Sequence, residues 1–178
     1  MLKFTNKILI YFILFIFCSA HSPWGSYLNY RAKHLLIMSV KTDAPTYPFS
    51  ELLIKYINKE LPEAQSKPAR AKDFERVQSL FSTNQMPLVL LSKQNAKDLI
   101  NGEGEFKEFG STDANVLYGF GDLILLIQPS LPNRHAWLLL NALKKSKSVF
   151  KDGISPDKLA DIGEAHPGAI MALNGEEM

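Results

Sequence analysis

The sequence predicts an α/β fold, a three-layer sandwich around a mostly parallel sheet. Two observations carry this. Apolar runs of strand length at residues 35–40 and 88–91, and a weakly extended stretch at 65–71, are each followed by a stretch of helix length, so that strand–helix alternation occurs three times before residue 102. Alternation of this kind joins parallel strands through right-handed crossovers. The chain also has 178 residues with 46% hydrophobic and 21% charged, enough for one domain with a core but short for two. Collagen-like, disulfide-scaffold and wholly disordered classes are excluded by the same composition.

Each element follows from local pattern. Leu35 to Val40 is continuously apolar between polar flanks, the look of a strand buried on both faces. Residues 41–48 hold two prolines, two threonines and an aspartate, a loop by composition. Phe49, Leu52, Leu53, Tyr56 and Ile57 then fall at amphipathic-helix spacing, and Pro62 ends that helix. Residues 65–71 form the second strand and 73–81 the second helix, with Phe74, Val77, Leu80 and Phe81 on one face. The third pair is the apolar strand 88–91 and the helix 94–100, closed by Asn101-Gly102.

Residues 102–113 read as a charged, glycine-bearing surface excursion. The apolar runs 116–118 and 123–128, split by Gly119-Phe120-Gly121, are either one kinked strand or two strands at a turn. A long helix follows from His135 to about Lys147. Ser155-Pro156-Asp157-Lys158 opens a short helix to about Ala165, which His166-Pro167-Gly168 breaks. The domain thus spans residues 34–170, and 171–178 is a flexible tail.

At the N-terminus, Lys3 and Lys7 precede the apolar run 8–18 and then Ser19-Ala20, the order of a cleavable secretory signal. The unbroken run is shorter than the ~20 residues that span a bilayer. The expectation is a signal peptide at 1–20, a leader at 21–33 and a periplasmic mature chain. Phe15 and Phe17 before Cys18 do not suit a lipobox. Removing residues 1–20 takes two lysines from the 20 basic residues, leaving 18 against 18 acidic ones, and removes the one cysteine. With no basic excess there is no pull toward nucleic acid, and without cysteine there is no disulfide or thiol nucleophile.

No residue pattern announces a reaction. His21, His34, His135 and His166 are too scattered for a metal motif, and no G-x-S-x-G or P-loop is present. The pairs Glu103/Glu105 and Glu176/Glu177 lie in loop and tail composition, and the glycine pairs 102/104 and 119/121 suit turns. No catalytic residue, metal ligand or cofactor is therefore assigned. In an open α/β sheet ligands sit beyond the carboxyl ends of the strands, where helix N-termini favour anions. Three loops meet that condition: Thr42, Asp43, Thr46 and Tyr47 after the first strand, Arg70 and Lys72 after the second, and Ser92, Lys93 and Gln94 after the third. Cations, hydroxyls and a phenol on one rim suit a small carboxylate-type anion, although loops are polar whether or not they bind anything.

The segment Ala44-Pro45-Thr46-Tyr47-Pro48-Phe49, Leu117-Tyr118 leading into an apolar strand, and His166-Pro167-Gly168-Ala169 carry a resemblance. Taken in this order behind an exported leader, they are similar to the TAXI family of TRAP-transporter solute receptors, periplasmic binding proteins of two lobes. The resemblance implies a single, truncated lobe that binds a small anionic solute without catalysis, in transport or sensing, with Tyr47 and the loop 92–94 toward the ligand. It also implies a transport partner or a second lobe in trans. Where the family's first loop is glycine-rich, this chain has Lys41-Thr42-Asp43. The alternative is a periplasmic accessory module that docks on a protein without a small ligand; an exposed apolar patch around Tyr118, Phe120 and Trp137 would mark it.

Overall fold

A computed structural model describes residue 30, residues 33–44 and residues 46–178. The expected signal peptide, its cleavage point, most of the leader and Pro45 lie outside the described residues. Met1–Lys33 and His34–Met178 are separate units. In the first, Tyr30 and Lys33 are helical and exposed.

The second unit runs β1 (Leu36–Val40), α1 (Thr46–Glu60), β2 (Lys67–Ala71), α2 (Phe74–Ser82), β3 (Leu88–Ser92), α3 (Lys93–Asn101), β4 (Asn115–Phe120), β5 (Leu123–Ile127), α4 (Asn133–Lys145), β6 (Gly153–Ile154) and α5 (Pro167–Asn174). The strands form one open six-stranded sheet in the order β2-β1-β3-β5-β4-β6. β1 is parallel to β2 and β3, whereas β5 is antiparallel to β3 and β4, and β6 is antiparallel to β4. β1 to β4 consequently run one way and β5 and β6 the other. The sheet is mixed, parallel where strand–helix units alternate and antiparallel where the chain turns back directly.

β1, apolar but for Ser39, and the wholly apolar β5 are buried along their whole length, because both faces of the sheet are covered. One face packs Met38, Val89, Leu91 and Ile124 against Val77, Leu80 and Phe81 of α2 and Leu99 of α3. The other packs Ile37, Leu90, Leu117 and Leu125 against Leu53 and Ile57 of α1, Leu139 and Leu140 of α4 and Ala169 of α5. This is an α/β sandwich. Its two edges are blunt: β2 carries exposed Lys67, Pro68 and Arg70, and β6 has two residues. Proline has no N–H to offer, so neither edge invites a further strand.

The two apolar runs after residue 115 are two strands of a hairpin. Gly121, at φ +60°, takes the first position of its turn, where a side chain would strain the backbone. The excursion after α3 is less superficial than its composition suggests. A 3-10 turn at Gly104–Phe106 drives Phe106 into the core, edge-on to Phe74 with ring centroids 5.2 Å apart.

The C-terminal helix expectations are corrected. The helix opening at Ser155 stops as a 3-10 turn, Pro156–Lys158. Leu159 and Ile162 are buried beyond it, and the chain then lies along β4. The Val116 N–H donates to the Glu164 carbonyl at 2.8 Å, and the His166 N–H to the Val116 carbonyl at 3.3 Å. The open edge of β4 needs backbone partners, and supplying them outweighs local helix propensity. His166-Pro167-Gly168 begins a helix instead of breaking one. The His166 Nδ1 accepts from the Gly168 N–H at 3.1 Å, and Pro167 sits at the first helical position. The tail accordingly starts later than residue 171, since α5 continues to Asn174 with Ala172 buried.

Candidate functional site

Because β1, β2 and β3 are parallel, their carboxyl ends share one edge of the sheet, and the three loops carrying the nine expected residues meet there. Most of those side chains are already engaged with the protein itself. Asp43 is 7% exposed. Its Oδ2 accepts from the Ser92 backbone N–H at 2.7 Å, at the entrance of α3. The next N–H, of Lys93, donates to the Asp122 carbonyl at 2.7 Å. An incoming carboxylate would therefore find the protein's own at the start of α3.

Thr46 is fully buried, and its hydroxyl reaches the carbonyls of Asp43 (2.6 Å) and Val40 (3.2 Å). Asp43 and Thr46 fasten the β1–α1 loop to itself and to β3, which corrects the expectation that they face a ligand. The Gln94 amide turns along its own helix and donates to Asp98 Oδ1 at 2.8 Å. The Lys93 ammonium lies 3.2 Å from Asp161, which Lys97 shares at 3.1 Å. The hydrogen bonds from Lys97 and Lys93 hold the Asp161 carboxyl below the ordinary carboxylate range. Thr42 is exposed, and the half-buried Ser92 makes no side-chain capping bond.

Tyr47 and Arg70 do meet, from α1 and β2. The guanidinium lies 4.4 Å from the centroid of the Tyr47 ring, within cation–π range. That contact seats the guanidinium over the ring, and a guanidinium donates to an anion from its edge. Around Arg70 the surface opens into a depression of about 430 Å³ lined by Arg70, Lys72, Asp73, Glu75, Arg76 and Ser79. Asp73 is the N-cap of α2, its Oδ1 accepting from the Arg76 N–H at 2.9 Å. Lys72, with 90% of its side chain exposed, stands 3.8 Å from Asp73 Oδ2, a loose surface pair. Three cations thus face two carboxylates in one open hollow.

Arg76, Ser79, Asp73 and Glu75 escaped the sequence reading, which stopped at the strand end. The signal that finds two of them is helical period: Arg76 and Ser79 are three apart on α2, off the face that buries Val77, Leu80 and Phe81. Among the described residues no three His, Cys, Asp or Glu side chains converge to hold a metal ion, and no helix is long and apolar enough to cross a membrane. The apolar patch that would mark a docking module does not form at the expected place. Tyr118 and Phe120 are buried, and Trp137 is half-buried with its Nε1 donating to the Glu176 carbonyl at 2.8 Å. No protein-family model matches the chain, and no curated protein is similar to it.

Proposed function

We propose that this protein is an exported, non-enzymatic binding domain for a small anionic solute, and that the solute is held on the β2–α2 side of the strand-end rim. One observation supports this above the others: Arg70, Lys72 and Arg76 line a single open depression beside the hydroxyl of Ser79. Arg70 and Arg76 would supply paired N–H donors to a carboxylate or phosphate, and Lys72 a mobile point charge. Tyr47 braces Arg70, its ring centroid 4.4 Å from the guanidinium carbon. Asp73 and Glu75 in the same hollow set the charge balance, so the site favours compact anions over extended polyanions.

The export signal read at residues 1–20 and the TAXI-type resemblance of the first loop support a place in solute capture beside a transporter or sensor. The chain turns from β4 into β5 at Gly121-Asp122, and no second lobe is present among the described residues. A one-lobed site leaves much of its ligand in water, so affinity is modest unless another chain supplies the opposite wall.

The test is a thermal-shift and calorimetric screen of the protein against dicarboxylates, amino acids and phosphate. Binding to the native state alone raises the melting temperature with ligand concentration. Arg70→Ala with Arg76→Ala should weaken binding tenfold or more, as loss of charge-assisted contacts worth about 1.5–3 kcal/mol each requires. An unchanged affinity in that double variant would remove the solute from this hollow.

A further inference from the structure

A second surface lies on the sheet face covered by α1 and α4. Phe150, in the segment after α4, packs its ring 5.2 Å from Phe49 and 5.7 Å from Tyr56. Those two α1 residues lie three before and four after Leu52, so all three share one side of the helix. Phe150 therefore seals the seam between α1 and the chain leaving α4. Between Phe49 and Tyr56 on α1, and next to Phe150 in the chain, two large aliphatic side chains stand in water, Leu52 at 55% and Val149 at 58% exposure.

The charges nearby have a bias. Lys55 and Lys59 follow Leu52 by three and seven residues on the exposed side of α1; Lys145 ends α4, and Lys151 is two residues past Val149, all exposed. Lys144 is excluded because its ammonium donates to the Ala172 carbonyl at 3.1 Å. Against these four cations the same stretch holds the half-buried Glu60 at the far end of α1 and Asp152. Glu51 is a third carboxylate near this stretch: exposed, it lies one residue and about 100° around from Leu52 and one turn before Lys55.

We propose that this face is a contact site for an anionic lipid surface, with Leu52 and Val149 entering the headgroup layer and the four lysines meeting lipid phosphates. The residue types select this occupant. Protein interfaces are depleted in lysine and built on buried aromatic and arginine anchors, whereas here the aromatic side chains are turned inward and lysines ring two isolated aliphatics. That arrangement is the one by which soluble domains lie on charged membranes. The proposal is independent of the anion-binding hollow, which lies on the β2–α2 side of the rim.

The test uses the full chain carrying Cys18→Ser, with Val149→Cys labelled by an environment-sensitive fluorophore. A label at position 149 reports contact at this face whatever residues 1–20 do with a bilayer. The control label is Glu105→Cys, beside the Phe106 that packs with the opposite helix layer. Vesicles of phosphatidylglycerol should shift the position-149 emission to the blue, and neutral phosphatidylcholine vesicles should not. Lys55→Gln with Lys59→Gln should weaken the partition by roughly thirtyfold, since each lysine at a charged surface contributes about a factor of five. Both lysines are solvent-exposed, and an unchanged far-ultraviolet dichroism spectrum confirms that the fold persists. Leu52→Asn supplies a second, uncharged variant that should also weaken it. No shift at position 149, an equal shift at position 105, or a shift that neutral vesicles also produce would overturn the proposal. So would a shift that soluble poly-glutamate reproduces without lipid, which would reassign the face to an acidic protein.

Discussion

Asp43 and His166 perform the same local task in two regions of the molecule, and they do so with different chemistry. Each side chain accepts from a backbone N–H at the entrance of a helix: Asp43 from Ser92 before α3, at 2.7 Å, and His166 from Gly168 in α5, at 3.1 Å. Asp43 acts across the fold, joining the loop after β1 to the end of β3. His166 acts within its own turn. The carboxylate brings a full negative charge to the positive end of a helix, while the imidazole can accept at Nδ1 only while it is neutral and carries its proton on Nε2. That Nε2 is buried without a well-formed hydrogen bond, although the carbonyls of Leu131 and Pro129 lie near enough to favour a protonated ring. The lesson is that one helix entrance is closed by a contact that ties two distant segments together, and the other by a buried histidine whose acceptor is lost on protonation.

Removing the carboxylate sharpens the comparison most. Asp43→Ala leaves the part-buried Ser92 N–H unpaired and unties the loop after β1 from the end of β3. The expected loss is about 1.5–3 kcal/mol, measured as a lower midpoint in urea at unchanged slope. Asp43→Asn keeps an acceptor and should lose less. A loss under about 0.5 kcal/mol in the alanine variant would show that this contact does not fasten the loop.

Acid should expose the weakness of the other entrance. Burial pushes the His166 pKa below its ordinary value of 6.5, and the carbonyls of Leu131 and Pro129 oppose that shift only in part. The unfolded chain therefore takes up a proton before the folded one does. The contribution of the neutral imidazole is present above pH 6.5 and is lost as pH falls through that value toward the lower folded-state pKa, at no more than about 1.4 kcal/mol per pH unit. His166→Asn, which retains a capping acceptor and does not titrate, should flatten the stability profile in that window. An unaltered profile would place the acid sensitivity elsewhere.

The smallest effect is expected where a buried polar group closes nothing. Tyr118 is fully buried, its hydroxyl lies against Gly153, and burial raises its pKa. Ser146, whose hydroxyl would ease that penalty, donates instead to the Leu143 carbonyl at 2.6 Å, leaving the phenol unpartnered. Tyr118→Phe should change stability by less than about 0.5 kcal/mol, or raise it, because an unpaired hydroxyl is removed with the packing kept. A loss above 1 kcal/mol would mean that the hydroxyl has a partner in solution.

Much of the fold was legible because it rests on local chemistry. The runs at β1, β3 and β5 hold no more than one serine each and have no polar face to leave in water. The period of α1 and α2 fixes which of their sides is buried, and Gly102, at φ +70°, ends α3 in the left-handed conformation that glycine accepts most readily. Part of the rim was legible for the same reason: parallel strands must end together, so the three loops had to meet. What pattern does not carry is how a polar side chain uses its hydrogen bonds. Asp43 and Thr46 read as ligand-facing because short polar residues in a loop look alike whether they point outward or back at the chain. Gln94, which stays exposed, likewise spends its amide N–H within the protein, on Asp98 one turn along α3.

The sequence by itself therefore determined the class of fold, the α1-to-α3 register and the location of a polar rim, since each depends on neighbours within a few residues. Only the tertiary structure decided that β5 inserts between β3 and β4, that residues 164–166 lie along β4 instead of continuing a helix, and that His166 opens α5. It also decided that Asp43 fills the entrance of α3, leaving the open cationic surface on the side of Arg70, Lys72 and Arg76. The physical reason is common to all of these. Each depends on satisfying a backbone N–H or carbonyl with a partner distant in the chain, Ser92 with Asp43 forty-nine residues away and Val116 with Glu164 forty-eight away. Such pairings are settled only when the sheet brings the two ends together.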